Sequence, residues 1–272
     1  MSILHALILG IIQGIGEFLP ISSSGHLVVI PYIFGWDYQG LNFDIALHFG
    51  TVLALITFFW KDWMNIISNA ILTDDPPTSE AGGQQTTDYS NNLLWIILVA
   101  SIPAAIAGYF LKDLAEHALR NPLLVAILLA VFALLLWLAD VSNLGNKKNP
   151  DLGYGKSFII GIAQAMALFP GVSRSGATMT AGLFFNLDRR SATRFSFLLA
   201  TPVMIGAFLL TLKDFQTSAL TLVFLVAIFT SAVCGFFSIK FLLKFLERHG
   251  FLPFVIYRLA LATLIIGLYF SR

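Results

Sequence analysis

The chain alternates long apolar stretches with two apolar segments that are interrupted by small and polar residues. Six stretches, near 43–60, 92–111, 122–139, 195–212, 219–239 and 251–270, are long enough to cross ~30 Å of hydrocarbon as helices. The two interrupted segments follow a different pattern. Residues 2–35 are broken at Pro20 and Ser22-Ser23-Ser24-Gly25, and residues 157–186 at Pro170-Gly171 and Ser173-Arg174-Ser175. Each half is too short to span. The pattern predicts two half-helix, loop, half-helix units that enter and leave on one side, with irregular backbone surrounded by protein or water. Residues 73–92 are polar and contain Pro and Gly, which predicts a solvated loop.

The two broken segments are copies. Gln13-x-x-x-Glu17-Phe18-x-x-Ile21-Ser22-Ser23-Ser24-Gly25-His26 aligns without a gap on Gln164-x-x-x-Leu168-Phe169-x-x-Val172-Ser173-Arg174-Ser175-Gly176-Ala177, 151 positions later. Gly10 meets Gly161 in the same register. The stretch from Phe43 to Lys61-Asp62 similarly resembles Phe195 to Lys213-Asp214. Each half, 1–140 and 141–272, therefore reads as one re-entrant hairpin plus three spans. Three spans change sides and a hairpin does not, so the second half enters from the opposite face. The predicted fold is an all-α polytopic membrane protein with an inverted-topology repeat.

Composition agrees. The chain is 57% hydrophobic and only 11% charged, against about 25% charged in soluble domains. A net charge of +1 and the absence of a basic tail give no support to a nucleic-acid partner. Cys234, the single cysteine, lies in an apolar run and reads as a small packing residue. Residues 1–12 lack a basic leader and run straight into the first motif, so they read as part of the mature fold. Ten of the sixteen Lys and Arg fall on the side opposite the N-terminus and four on its own side, with Arg174 and Arg258 inside membrane segments. That asymmetry puts both termini and the first hairpin on the outer face of the cytoplasmic membrane.

The differences between the copies carry the chemistry. Glu17, Ser23 and His26 become Leu168, Arg174 and Ala177. A carboxylate in an apolar segment is expensive and by default marks a functional site. Gln13 and Glu17 are four apart and share one helix face. Ser23 and His26 are three apart, close enough for hydroxyl and imidazole to meet on one turn. His5, His48, His117 and His249 read as structural, although His48 could line the cavity. In the second loop, Ser173, Arg174, Ser175 and Thr178 put hydroxyls and a guanidinium where a helix begins, which suits an anion such as phosphate. Arg258 lies about seven residues into the last span, too deep to reach water easily, and reads as a second phosphate or cavity cation.

These residues together, Gln-x-x-x-Glu with SSSGH and then PGVSRSGAT, resemble the undecaprenyl-diphosphate phosphatase family of the bacitracin-resistance type, over essentially the whole chain. Gln13 and Glu17 fall on that family's first motif, leaving one carboxylate where some members have two. Ser23 and His26 fall on its first-loop serine and histidine, and Ser173, Arg174 and Thr178 on its arginine motif. The resemblance implies hydrolysis of undecaprenyl diphosphate, a polyprenyl lipid, to undecaprenyl phosphate and inorganic phosphate. That reaction recycles the carrier for peptidoglycan and confers bacitracin resistance. It also implies a divalent cation, Mg²⁺ or Ca²⁺, held by Glu17 and Gln13. Arg174, Ser173, Ser175 and Thr178 would hold phosphate, Ser23 would attack phosphorus unless His26 or a metal-bound water takes that place, and His26 would move protons. A lipid-phosphate flippase is the competing expectation, because inverted repeats with broken helices also build transporters.

Overall fold

Among the described residues ten helices follow one another: α1 Ile3–Phe18, α2 Ser23–Phe34, α3 Leu41–Leu72, α4 Leu93–His117, α5 Pro122–Ser142, α6 Tyr154–Met166, α7 Arg174–Phe184, α8 Arg189–Thr211, α9 Leu222–Phe245 and α10 Leu252–Ser271. The computed structural model describes residues 2–37, 40–72, 92–117, 121–143, 152–211 and 221–271, and among these every regular element is helical. Among the described residues six helices (α3, α4, α5, α8, α9 and α10) have the length and apolarity to cross a membrane. The protein is an all-α polytopic membrane protein. Most of the predicted loop 73–92, and Arg120, Lys147, Lys148, Lys213 and Arg272 of the cation tally, lie outside the described residues.

The interrupted segments fold as helix pairs. α1 and α2 have 16 and 12 residues, and α6 and α7 have 13 and 11. All four fall short of the ~20 residues that a single crossing takes. α1 packs on α2 and α6 on α7, so each segment turns back on itself. The turns follow from local chemistry. Leu19 is extended because the next residue is Pro20, which disfavours the helical region before it. Gly171 has φ +100°, and a Cβ there would meet Val125 O at 2.6 Å. Ser22 and Ser173 each open the second half-helix with φ near +70°, and each hydroxyl accepts from the glycine three residues on, Gly25 N at 3.3 Å and Gly176 N at 3.1 Å. Both copies thus keep the same unusual backbone.

Spans are longer than their apolar cores suggest. α3 runs eleven residues past Lys61, where the hydrophobic stretch ends. The charged dipeptide does not stop the helix, because Asp62 pairs with Arg194 of α8. α8 begins at Arg189 rather than near 195, since the Asp188 carboxylate accepts from the N–H groups of Arg190 and Ser191 and caps it. The charged ends meet on one side. Asp140 at the end of α5 pairs with Arg189 at 2.5 Å and accepts from Phe251 N at the start of α10, while Arg190 pairs with Glu247 beyond α9.

Packing positions the hairpins. α1 lies along α9 and α6 along α4. Gly10 and Gly161, aligned in sequence, sit at these two crossings. A Cβ on Gly10 would press on Thr230, and one on Gly161 would collide with Ala100 O. The main core, including Phe18, Leu55, Phe59, Ile97, Leu136, Phe197 and Leu242, lies between the hairpins and the spans. Exposed Phe110, Phe229, Phe237 and Phe241 face outward, as a lipid-facing surface requires.

Candidate active site

The two loops place their charged residues against each other. Glu17, on the last turn of α1, is buried, and each of its oxygens is engaged. Oε1 accepts from Arg174 Nη2 at 2.7 Å. Oε2 accepts from Ser23 Oγ at 2.6 Å and from Gln13 Nε2 at 3.0 Å. The helix spacing of Gln13 and Glu17 brings their heads together, and the tight turn at Leu19–Ser22 returns Ser23 to the same carboxylate. Arg174 arrives from the other half of the chain at the first turn of α7 and also touches Met204 Sδ at 3.3 Å.

Two atoms at this centre are buried without a partner among the described residues: Gln13 Oε1, an acceptor, and Arg174 Nη1, a donor. Buried polar atoms are nearly always paired. An unpaired acceptor and an unpaired donor beside one ion pair suit a ligand that brings a cation and an anion together. Gln164, the copy of Gln13, is buried with both amide atoms unpartnered. At the aligned positions it has Leu168 and Ala200 instead of Glu17 and His48.

His48 belongs to the cluster and was the residue that sequence reasoning left aside. Its Nδ1 lies 3.0 Å from Gln13 Nε2 and 3.7 Å from Glu17 Oε2. The only signal in the sequence was a histidine within an apolar span. His26, by contrast, makes no hydrogen bond to Ser23. Its Nδ1 lies 2.7 Å from Ser22 O, and its Nε2 2.6 Å from the hydroxyl of Tyr257, whose ring stacks on it. Because a carbonyl only accepts, Nδ1 carries the proton and Tyr257 donates to Nε2. Nothing in the motif pointed to Tyr257.

Four residues expected at the phosphate have their polar atoms committed to the protein. Ser173 Oγ caps α7, and Ser175 Oγ donates to Leu19 O at 3.2 Å. Thr178 Oγ1 bonds back to Arg174 O at 2.9 Å and lies 2.6 Å from Ser196 Oγ on α8. Arg258 is 0% exposed. It donates to Leu129 O at 3.2 Å, Pro20 O at 3.4 Å, Gly171 O at 2.9 Å and Val172 O at 3.1 Å. Arg258, read from the sequence as a phosphate or cavity cation, is here surrounded by backbone carbonyls and ties both loops to α5. Ser173, Ser175 and Thr178 likewise shape and anchor the loop that presents Arg174.

A buried carboxylate–hydroxyl–guanidinium cluster, held between two broken-helix loops inside a bundle of membrane-spanning helices, defines a polytopic membrane protein with an internal polar site. The chain belongs to the family described as bacitracin resistance protein BacA, whose model matches residues 6–264. It is 43% identical to the undecaprenyl-diphosphatase of Pelotomaculum thermopropionicum over 272 residues, covering all of this chain and 98% of that one. It is also 43% identical to the undecaprenyl-diphosphatase of Moorella thermoacetica, with both chains covered completely. The undecaprenyl-diphosphatase of Desulforudis audaxviator is 41% identical over 266 residues, 98% of this chain and 97% of the relative.

Proposed function

We propose that this protein hydrolyses undecaprenyl diphosphate to undecaprenyl phosphate and inorganic phosphate, returning the lipid carrier to cell-wall synthesis and so conferring bacitracin resistance. The observation that carries the proposal is the junction of the two motif loops, where Glu17 holds Ser23 at 2.6 Å and Arg174 at 2.7 Å. Family membership and the shared name of the relatives support the same substrate.

The chemistry follows from the contacts. Arg174, with Nη1 unpaired, receives the terminal phosphate. Ser23 Oγ forms a bond to the terminal phosphorus while the bond from that phosphorus to the bridging oxygen breaks. Its proton passes to Glu17 Oε2, and undecaprenyl phosphate leaves with the electron pair. Water then attacks the phosphoserine, releasing inorganic phosphate, and Glu17 returns the proton to Ser23. The partner of Ser23 is therefore Glu17, and His26 holds the second half-helix through Ser22 O and Tyr257. Phosphoryl transfer depends mostly on positioning and charge, and this cluster supplies both.

The residues fit a hard divalent cation. Mg²⁺ and Ca²⁺ take oxygen ligands, and the unpaired Gln13 Oε1 lies beside the Glu17 carboxylate. Among the described residues no group of three or more His, Cys, Asp or Glu could hold an ion alone, so phosphate oxygens and water would complete the shell. When bound, such an ion would offset the charge of the diphosphate.

We also read the halves, 1–140 and 141–272, as inverted repeats, supported by the exchanged packing of α1 on α9 and α6 on α4. The cation excess puts both termini and the first hairpin on the outer face, and the clustering of Asp62, Asp140, Arg189, Arg190 and Arg194 at one end fits that orientation. Release of phosphate from undecaprenyl diphosphate by purified protein in detergent tests the proposal. A pure flippase needs a sealed bilayer and would release none.

A further inference from the structure

We propose that His48 is a third substrate-facing group of this site, its Nε2–H donating a hydrogen bond to an oxygen of the diphosphate. The inference rests on the phosphatase reading for its substrate, but its geometry stands independently. Glu17 Oε2 can only accept, so the Gln13 group facing it at 3.0 Å is the amide nitrogen. The same nitrogen lies 3.0 Å from His48 Nδ1 and gives it its second hydrogen. Nδ1 is then the lone-pair nitrogen, and in the neutral ring the proton sits on Nε2. Among the described residues that atom has no hydrogen-bond partner, and the side chain is 43% exposed. His26 is 5% exposed with both ring nitrogens engaged. Of the two imidazoles near the motif, His48 is the one with a donor still to offer.

Its position is built, not incidental. Ser231 Oγ of α9 donates to Leu47 O at 2.8 Å, and Thr51 Oγ1 donates to His48 O at 2.8 Å. At Gly50 the backbone of α3 lies directly against Ile228 O of α9, leaving no room for a Cβ. These contacts fix the register of α3 so that residue 48 meets Gln13 and Glu17. A preorganised N–H beside the carboxylate, serine and arginine is placed to offset charge on the transferred phosphate.

Two amides separate a donor role from mere orientation of Gln13. The amide nitrogen of glutamine reaches the place of Nε2; the amide oxygen of asparagine replaces Nδ1 as acceptor for Gln13. For phosphate release in detergent, His48→Leu is expected to lower kcat/KM about 10- to 100-fold, His48→Asn similarly, and His48→Gln to stay within about threefold. Affinity for inorganic diphosphate, measured by calorimetry on the same detergent-solubilised variants, should fall for Leu and Asn and hold for Gln. Thermal unfolding should match wild type for all three. Full activity in His48→Leu, recovery by Asn instead of Gln, or equal loss in all three would overturn the proposal. Absence of phosphate release from wild type would sink the phosphatase reading alone, while unchanged diphosphate affinity in His48→Leu would sink this one.

Discussion

Arg174 donates from Nη2 to Glu17 Oε1 at 2.7 Å, joining residues 157 positions apart on the two motif loops. Glu17 is buried and Arg174 partly so, and the pair couples catalysis to the seating of both hairpins. Removing one partner leaves the other charge uncompensated, which costs about 3–5 kcal/mol, whereas removing both costs less. Glu17→Ala and Arg174→Ala should each lower the unfolding temperature in detergent, and the double variant should recover part of that loss. Phosphate release should fall by at least about 10²-fold in all three. A double variant no more stable than the singles would show that the pair is not the stabilising link.

Neighbouring serines should separate cleanly. Ser23→Ala removes the attacking hydroxyl and should reduce turnover by about 10²-fold or more. Ser22→Ala removes the cap on α2 and a contact with the Ser24 hydroxyl, about 1 kcal/mol of stability, and should leave most of the activity. Mass spectrometry of acid-quenched enzyme should find phosphate on Ser23. A phosphohistidine, or full activity in Ser23→Ala, contradicts this mechanism.

Thr178 tests whether the hydroxyls of the second loop anchor the loop or hold phosphate. Its hydroxyl is spent on Arg174 O and Ser196. Thr178→Val should cost about 1 kcal/mol in thermal unfolding, the worth of an ordinary hydrogen bond, with KM nearly unchanged. A tenfold rise in KM at unchanged stability would restore Thr178 to the phosphate.

Arg258 should behave as a clamp. Arg258→Met leaves the carbonyls of Pro20, Leu129, Gly171 and Val172 without their donor, at about 1–3 kcal/mol for each buried group left unpaired. The expected result is a large drop in unfolding temperature, with activity lost in proportion to folded protein. Arg258→Lys should recover little, because three donors on one atom cannot span carbonyls from two loops and α5. A folded, stable Arg258→Met enzyme with raised KM would instead favour the phosphate reading.

The helix crossings give a packing test. Gly161→Val would drive a side chain into Ala100 O and should separate α6 from α4. The outcome to measure is lost thermal stability, and Gly10→Val should do the same at the α1–α9 crossing through Thr230. Tolerance of both substitutions would remove the packing reason for the paired glycines.

The sequence by itself determined the class of fold and the residues of the motifs. Hydrophobic length is local, so six spans and two broken segments were legible, and breaks at Pro20 and Pro170-Gly171 follow from backbone sterics. The burial cost of Glu17 and Arg174 in apolar segments singled them out before any contact was known. Helix ends were less legible, because α3 continues past Lys61-Asp62 through an ion pair to a residue far along the chain. Tertiary structure alone decided the division of labour among polar groups. Ser175, Thr178 and Arg258 have the composition of a phosphate site, yet the carbonyls and hydroxyls they bond come from Leu19, Ser196, Pro20 and Leu129. His48 and Tyr257 enter because α3 and α10 pack where they do. A donor's availability depends on what surrounds it, and those neighbours lie far away in sequence.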